Sequence, residues 1–376
     1  MQLFVLLPVL LLTVVAAVSE ASEDLSEADV QAIQKIESSP VLPSNVRQSL
    51  QELFGDEVSE KELDAMVQQV KDFDREPIFS NQTDEFTIMS FNTWMGGSVV
   101  RDGVKKIVKH IKAVNADGVA IQEGSMNRSD LIKALGGNWK DVGAATQPFI
   151  LTRHEILPNV THNPRGTGTA ATIKLPNGKL LNVWDVHFYY LPVGQHLAFE
   201  NETLESIILG EERRMEDLKN VLENAVTKEW LKNDNVPTFI VGDHNTGSHL
   251  DWIEETKDSH AGRVVEWPVT KKIMDAGFRD TWRVIYPNVT THPGYTWSPV
   301  EKLWWGDRRK GPEPQDRVDF LFYKGTTITP IEMHTYVGNE VVKENIDNSG
   351  PYKYNDWPSD HAALVAKFAF NENLSG

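Results

Sequence analysis

The 376-residue chain contains no cysteine. That excludes a disulfide framework, a thiol nucleophile and a thiolate zinc ligand. A chain of this length can be stable without such staples, so the absence does not argue against export. Long hydrophobic runs are almost as scarce. Leu3 to Val18 is nearly unbroken, and no later stretch is long and apolar enough to cross a bilayer. Positive charge is also in short supply, with 37 Lys and Arg against 54 Asp and Glu and a formal net charge of −17. The span from Glu20 to Pro77 has 15 acidic and 5 basic residues and so carries −10, leaving −7 on the rest. No long basic stripe exists to displace counterions from nucleic acid. Acidity alone does not exclude a nuclease, because a divalent cation can bridge phosphate to carboxylates.

The apolar run, with Ala16, Ala17 and Ser19 behind it, reads as a secretory signal peptide over residues 1–19. It has no basic residue ahead of it and is short for a membrane span. Six Asn-x-Ser/Thr sequons begin at Asn81, Asn127, Asn159, Asn201, Asn288 and Asn373. In a secreted eukaryotic chain these are expected to be surface positions bearing glycans. The C-terminal Asn-Glu-Asn-Leu-Ser-Gly carries no hydrophobic tail for lipid anchoring and no retention signal. The expected location is extracellular.

Residues 20–77 read as an acidic helical extension or propeptide. Ser26-Glu27-Ala28-Asp29 and Ser59-Glu60-Lys61-Glu62 look like helix starts, and Val30, Ile33 and Ile36, then Leu63, Met66, Val67 and Val70, fall at helical spacing. After Pro77 short β-rich runs alternate with helices and Gly/Pro/Asn turns. Strands are expected around Phe86–Met89, Asp117–Ile121, Phe149–Leu151, Ala170–Ile173, Leu180–Val186, Thr238–Val241, Phe320–Tyr323 and Ala362–Phe368. Asn177-Gly178 marks a hairpin turn, and helices are expected over Val104–Val114 and, as one long element, Glu211–Leu231. This mixture predicts an α/β (α+β) fold.

Short polar motifs ride on or follow these apolar runs. In order they are Met89-Ser90-Phe91-Asn92-Thr93-Trp94, Ile121-Gln122-Glu123, Val186-His187-Phe188, Val241-Gly242-Asp243-His244-Asn245, Asp316-Arg317-Val318-Asp319-Phe320 and Ser359-Asp360-His361. The inventory suits a hard divalent metal beside a His–Asp acid/base pair. Glu123 with Asn92 suffices as the core of a Mg²⁺ site, which takes one or two carboxylates plus water and substrate oxygens. Asp243 and Asn245, two apart, leave the same face of an extended segment, and His244 between them is expected to pack on the opposite face.

The order and wording of these motifs resemble the endonuclease/exonuclease/phosphatase superfamily of metal-dependent phosphoesterases, from about Asp84 to Phe370. The resemblance implies a four-layer sandwich, two mixed β-sheets flanked by helices, as a catalytic domain over residues 84–370. It implies that Asn92, Glu123 and Asp360 hold the metal, Mg²⁺ with Mn²⁺ or Ca²⁺ as alternatives. His361 would accept a proton from water or bind phosphate, oriented by Asp319. Asp243 would help prepare the water, and His187 and Asn245 would hold phosphate oxygens. Asp280, Thr296 and Trp297 read as structural landmarks of the family. Arg153, Arg213 and Arg214 are either phosphate contacts or ordinary ion pairs. Leu303-Trp304-Trp305-Gly306, with Arg308, Arg309 and Lys310, is either a substrate-recognition loop or a loop packed on its own domain.

The substrate stays open among nucleic acid, phospholipid and small phosphodiester. Deoxyribonuclease-like members have an Arg soon after Gln-Glu, where this chain has Gly124-Ser125-Met126. Inositol polyphosphate 5-phosphatases have Pro-x-Trp-x-Asp-Arg, where it has Pro314-Gln315-Asp316-Arg317. The expected activity is hydrolysis of a phosphate ester, most simply a diester. The alternatives are a catalytically idle secreted binding protein on the same scaffold and a zymogen in which residues 20–77 cover the cleft.

Overall fold

The structure is a computed structural model that describes residues 85–143, 145, 148–304, 311–346 and 350–371. The signal-peptide run, the expected helices before Pro77 and the sequons at Asn81 and Asn373 lie outside them.

The first sheet begins with β1 (Glu85–Asn92), β2 (Gly118–Gln122), β3 (Lys140–Gly143) and β4 (Phe149–Thr152). The second is built from β5 (Glu155–Ile156), β6 (Thr161–His162), β7 (Gly168–Lys174), β8 (Leu180–His187), β9 (Thr238–Asp243) and β10 (Arg279–Asp280). A two-stranded ribbon, β11 (Leu303–Trp304) and β12 (Gly311–Pro312), precedes β13 (Asp319–Lys324), which returns to the second sheet. The chain ends on the first sheet with β14 (Ile328–Tyr336) and β15 (Ala363–Phe370). The sheet orders are β14-β15-β1-β2-β4-β3 and β10-β13-β9-β8-β7-β5, with β6 also on β7. Both sheets are mixed, because β1–β2 and β8–β9 are parallel and their other pairs antiparallel.

Period-two alternation assigns the faces. Phe86 and Ile88 of β1 pack with Leu181 and Val183 of β8, Phe239 and Val241 of β9 and Leu321 and Tyr323 of β13, forming the core between the sheets. Met89 and Phe91 face the other way, onto Ile107 and Ile111 of α1 (Gly103–Val114) and Leu131 of α2 (Arg128–Leu135). On the far side, Trp184, Val186 and Ile240 pack against the helices after β8. Here α3 (Gly194–Phe199) and α4 (Leu204–Leu209) lead into α5 (Glu212–Leu222) and α6 (Ala225–Trp230), followed by α7 (Pro268–Asp275), whereas α8 (Thr281–Ile285) packs Trp282 and Ile285 against the core between the sheets. Leu218 and Val221 of α5 and Ile273 of α7 close that third cluster. The four-layer sandwich expected from the motifs is therefore what forms.

Two expectations need correction. The long helix over Glu211–Leu231 is two helices, because the Asn224 side chain accepts the Val226 N–H at 2.9 Å and starts α6 afresh. Strand β14 went unread because its alternation is broken by Pro330 and by a register shift before Glu332. The turn at Asn177-Gly178 does join β7 to β8, with Gly178 at φ +81°.

Gly242 decides how closely β8 and β9 approach. Its φ is +137°, and a Cβ there would lie 2.0 Å from the Val186 carbonyl oxygen. Gly242→Ala is expected to cost about 3 kcal/mol, from backbone strain plus forced separation of the strands, read as a drop in the urea midpoint. An unchanged midpoint would show that the strands tolerate a side chain here.

His244 is fully buried against Phe188, Phe320 and Phe322 and bonds Gly242 O through Nδ1 at 2.9 Å, while Nε2 has no hydrogen-bond partner. It packs, as expected. Burial lowers its pKa to about 4 from 6.5. The unfolded chain thus binds the proton first as pH falls. The neutral ring's contribution is complete above about pH 6.5 and is lost toward pH 4, on the order of 3 kcal/mol. Urea titrations from pH 6.5 to 4 should show a steeper loss for the native chain than for His244→Phe, and equal slopes would refute this.

Candidate active site

The inward positions of the central strands change character toward one edge of the sandwich. On β1 they run Phe86, Ile88, Ser90, Asn92, on β8 Leu181, Val183, Asp185, His187, and on β9 Phe239, Val241, Asp243. Strand register aligns the polar ends: His187 is paired with Asp243, and Asp243 with Asp319 at the start of β13. In the facing sheet, Asn92 is paired with Gln122, Glu123 follows, and Asp360-His361 lead into β15. All eight residues anticipated from the motifs meet at this edge. Six of them line one cavity of about 530 Å³, and Asn92 and Asp319 stand behind it, bonded to Asp243 and His361 of the wall.

Asp243 is the hub. Its Oδ2 accepts Asn92 Nδ2 at 3.0 Å, and its Oδ1 accepts the Asn245 N–H at 2.9 Å. The imidazole Nε2 atoms of His187 and His361 stand 3.6 and 3.8 Å from Oδ2. Asn92 Nδ2 also reaches Glu123 Oε1 at 3.3 Å, while its carbonyl oxygen accepts the Trp94 N–H at 3.0 Å. Asn92 thus turns its NH₂ toward the carboxylates, while its side-chain oxygen, the atom able to ligate a cation, accepts one backbone N–H and keeps a second lone pair. Glu123 Oε2 accepts the Met95 N–H at 2.7 Å. His361 Nδ1 is 2.8 Å from Asp319 Oδ2, and the N–H groups of Val318 and Asp319 both donate to Thr296 Oγ1 at 3.1 Å.

Asn245 does not sit on an extended path, as its spacing from Asp243 suggested. It turns into the left-handed region at φ +51°, and its Nδ2 donates to Phe188 O at 3.0 Å. Trp94 (φ +46°), Met95 (φ +55°) and Glu123 (φ +60°) share this conformation and line the same cavity. Such backbone costs free energy in non-glycine residues and persists only where surrounding contacts dictate it.

Burial raises the Asp243 carboxyl above its ordinary value, Asp319 adding to the effect while the histidines oppose it. Burial works against charging His361, but Asp319 and Asp243 outweigh it and hold the imidazole well above 6.5. Burial, with Glu123 nearby, pushes Asp360 up to about 8, and its Oδ1 has no hydrogen-bond partner. A buried carboxylate oxygen without a donor, beside a second carboxylate at the cavity wall, fits a divalent cation. Asp243, Asp319 and His361 also offer ligand atoms within 4.8 Å of one another. Their hydrogen bonds, however, already use them as an acid/base pair and its neighbour.

Several cavity residues were missed or misread. Trp297, expected to be structural, forms wall: its ring centre is 4.9 Å from that of His361, and its Nε1 donates to Glu313 at 3.0 Å. Tyr190, Gln195, His196, Glu313 and Asp316 also line the cavity. Only the two tyrosines directly behind His187-Phe188 hinted at this. His196 Nε2 lies 2.6 Å from Glu313 Oε1, and Asp316 receives Gln195 and Trp252, each at 2.9 Å. The arginines are used elsewhere. Buried Arg214 bonds Glu211 and the carbonyls of Tyr189 and Pro192, Arg213 lies over the Tyr189 ring, and Arg153 bonds Asn115. Arg317 is enclosed by Asp251 and Asp280. Of the segment 303–306, read either as a recognition loop or as a loop packed on its own domain, Leu303–Trp304 form β11, and residues 305–310 lie outside the described set. Of the sequons, Asn159, Asn201 and Asn288 are exposed, but Asn127 is half-buried, with its Nδ2 donating to Gly96 O at 2.8 Å.

Residues 89–361 match the endonuclease/exonuclease/phosphatase family. The chain is 40% identical over 291 residues to uncharacterized protein F14F9.5 of Caenorhabditis elegans, covering 75% of this chain and 91% of that protein. Similar solved structures include Danio rerio TDP2 complexed with a single-strand DNA product, at 15% identity and TM-score 0.49, covering 76% of this chain and 99% of that one. Another is a family protein of Bacteroides thetaiotaomicron, at 14% identity and TM-score 0.48, covering 78% and 97%. With its motif residues gathered at one sheet edge and most of its length matched, the chain belongs to the endonuclease/exonuclease/phosphatase family, whose members are hydrolases acting on phosphate esters.

Proposed function

We propose that this protein is a secreted, divalent-metal-dependent phosphodiesterase that uses water as nucleophile. The observation that carries the reading is the His361–Asp319 pair, joined at 2.8 Å, opening into the same cavity as Glu123 and the unpartnered Asp360 oxygen. Secretion is supported by the residue pattern at 1–19.

Glu123 and Asp360 would hold the cation, Mg²⁺ by the chemistry of the donors, with Asn92 orienting Glu123 and Asp243. When bound, such a cation supplies neutralisation of charge on the phosphate and offsets the carboxylates that keep His361 protonated. Asp243 and His361 prepare the attacking water, and the neutral imidazole takes its proton. Asp319 fixes the tautomer and stabilises the imidazolium that results. The water oxygen bonds phosphorus as the bond to the leaving oxygen breaks. Asn245 holds a phosphate oxygen, and His187 holds another or protonates the departing alkoxide.

With bis-p-nitrophenyl phosphate and Mg²⁺, turnover is expected to vanish with EDTA and return on adding metal back. Glu123→Gln and His361→Asn should each lower kcat by about 10²- to 10⁴-fold. Full activity in both variants would place the chemistry elsewhere, and a folded native chain without turnover would favour an idle binding protein. A second expectation separates metal binding from catalysis. Asp360→Asn should raise the melting temperature of metal-free protein, because a buried carboxyl without a partner becomes a neutral amide. It should also remove the further rise that Mg²⁺ gives the native chain. A variant melting lower without metal, with the Mg²⁺ effect intact, would exclude Asp360 as a ligand.

A further inference from the structure

On the phosphodiesterase reading just given, we propose that the substrate is a phosphodiester with a single negative charge and an apolar substituent, and that polyanions are poor substrates. Among the described residues lining the cavity there is no lysine or arginine. Five carboxyl groups line it instead, those of Glu123, Asp243, Glu313, Asp316 and Asp360. A divalent cation held by Glu123 and Asp360 would offset their charge and offer a contact to a single phosphodiester. Further phosphates of a nucleic acid or an inositol polyphosphate would meet Glu313, with no lysine or arginine among the described lining residues to receive them; His361 is held by Asp319 and His196 by Glu313. Among the described residues, Arg153 and Arg213 are engaged with Asn115 and the Tyr189 ring, and Arg214 and Arg317 are committed to carboxylates in full burial.

The other half of the lining is apolar. Trp297 lies against His361 on one side and holds Glu313 on the other, so an aromatic surface leads away from the reacting centre. Trp94, Val193 and Pro314 also line the cavity. At the mouth, Met95, Met126 and Tyr190 are 48%, 66% and 56% exposed. Flexible thioethers and aromatic rings around a concave site suit an alkyl or aryl group of variable shape. A hydrolase discriminates between substrates through such contacts.

The test compares kcat/KM, with Mg²⁺ and across a salt series, for bis-p-nitrophenyl phosphate, a lysophospholipid below its micelle concentration, a single-stranded oligonucleotide and inositol hexakisphosphate. Either apolar diester should exceed both polyanions by at least about 100-fold, and the first two arms separate an aryl from an alkyl preference. Tyr190→Ser and Met126→Ser should raise KM for the better apolar diester about 10-fold with kcat little changed. Met126→Lys should improve the oligonucleotide instead. Oligonucleotide turnover equal to that of the apolar diesters and falling steeply with salt would overturn this inference while leaving the phosphodiesterase reading intact. Should no diester turn over, tryptophan fluorescence with a non-hydrolysable alkyl phosphonate still decides. Saturable binding weakened by Tyr190→Ser supports the ligand class although the activity reading fails, and no binding overturns both.

Discussion

Burying a carboxylate where two sheets meet is expensive unless donors surround it, and Asp243 is such a group. It is almost fully buried, yet it receives an amide from the first sheet, a backbone N–H from its own strand end and two nearby imidazoles. The desolvation cost of such an ion is several kcal/mol, offset only while these partners hold their geometry. The site therefore constrains the fold as much as the fold builds the site. Asn92 ties β1 to β9, and the His361–Asp319 pair ties the approach to β15 to the start of β13. Behind them Gln122 donates to Asp185 at 2.6 Å, a third tie between the sheets, with burial holding the Asp185 carboxyl well above the usual range.

Around this hub the backbone is held in conformations it would not adopt alone. Trp94, Met95 and Glu123 take left-handed geometry, stabilised by the Asn92 and Glu123 side chains accepting the Trp94 and Met95 N–H groups. Two residues before Asp319, Arg317 spans Asp251 and Asp280. Removing one member of such a buried ionic network leaves uncompensated charge. Thr296 receives two successive N–H groups from the same segment and so fixes where Asp319 begins its strand. A dyad whose supports are this rigid is preorganised for proton transfer.

Much of the site was legible because strand chemistry is local. An apolar run with period two ending in Asn, Glu, His or Asp announces a polar group at a sheet edge, as Phe86 to Asn92 and Thr238 to Asp243 do. Asn177-Gly178 announces its hairpin in the same way. The break between α5 and α6 was overlooked because apolar spacing continues across Asn224, whose capping bond needs one residue in the right conformation. The cavity wall was the least legible part. Tyr190, Trp297 and Glu313 come from connecting segments and His196 from the short helix α3, none long enough to carry a periodicity to read.

The sequence by itself determined which residues carry chemistry and that they sit at strand ends, since residue type and period-two spacing are properties of a single segment. Only the tertiary structure decided which carboxylates share a donor and which are left without one. It alone set Asp243 against Asn92, left Asp360 Oδ1 unpartnered and drew Arg214 and Arg317 into structural contacts. These outcomes depend on the register between strands and the separation between sheets, which follow from packing the apolar faces of segments distant in the chain. Pairwise contact across a core is a joint property of both sides, and no single stretch of sequence contains it.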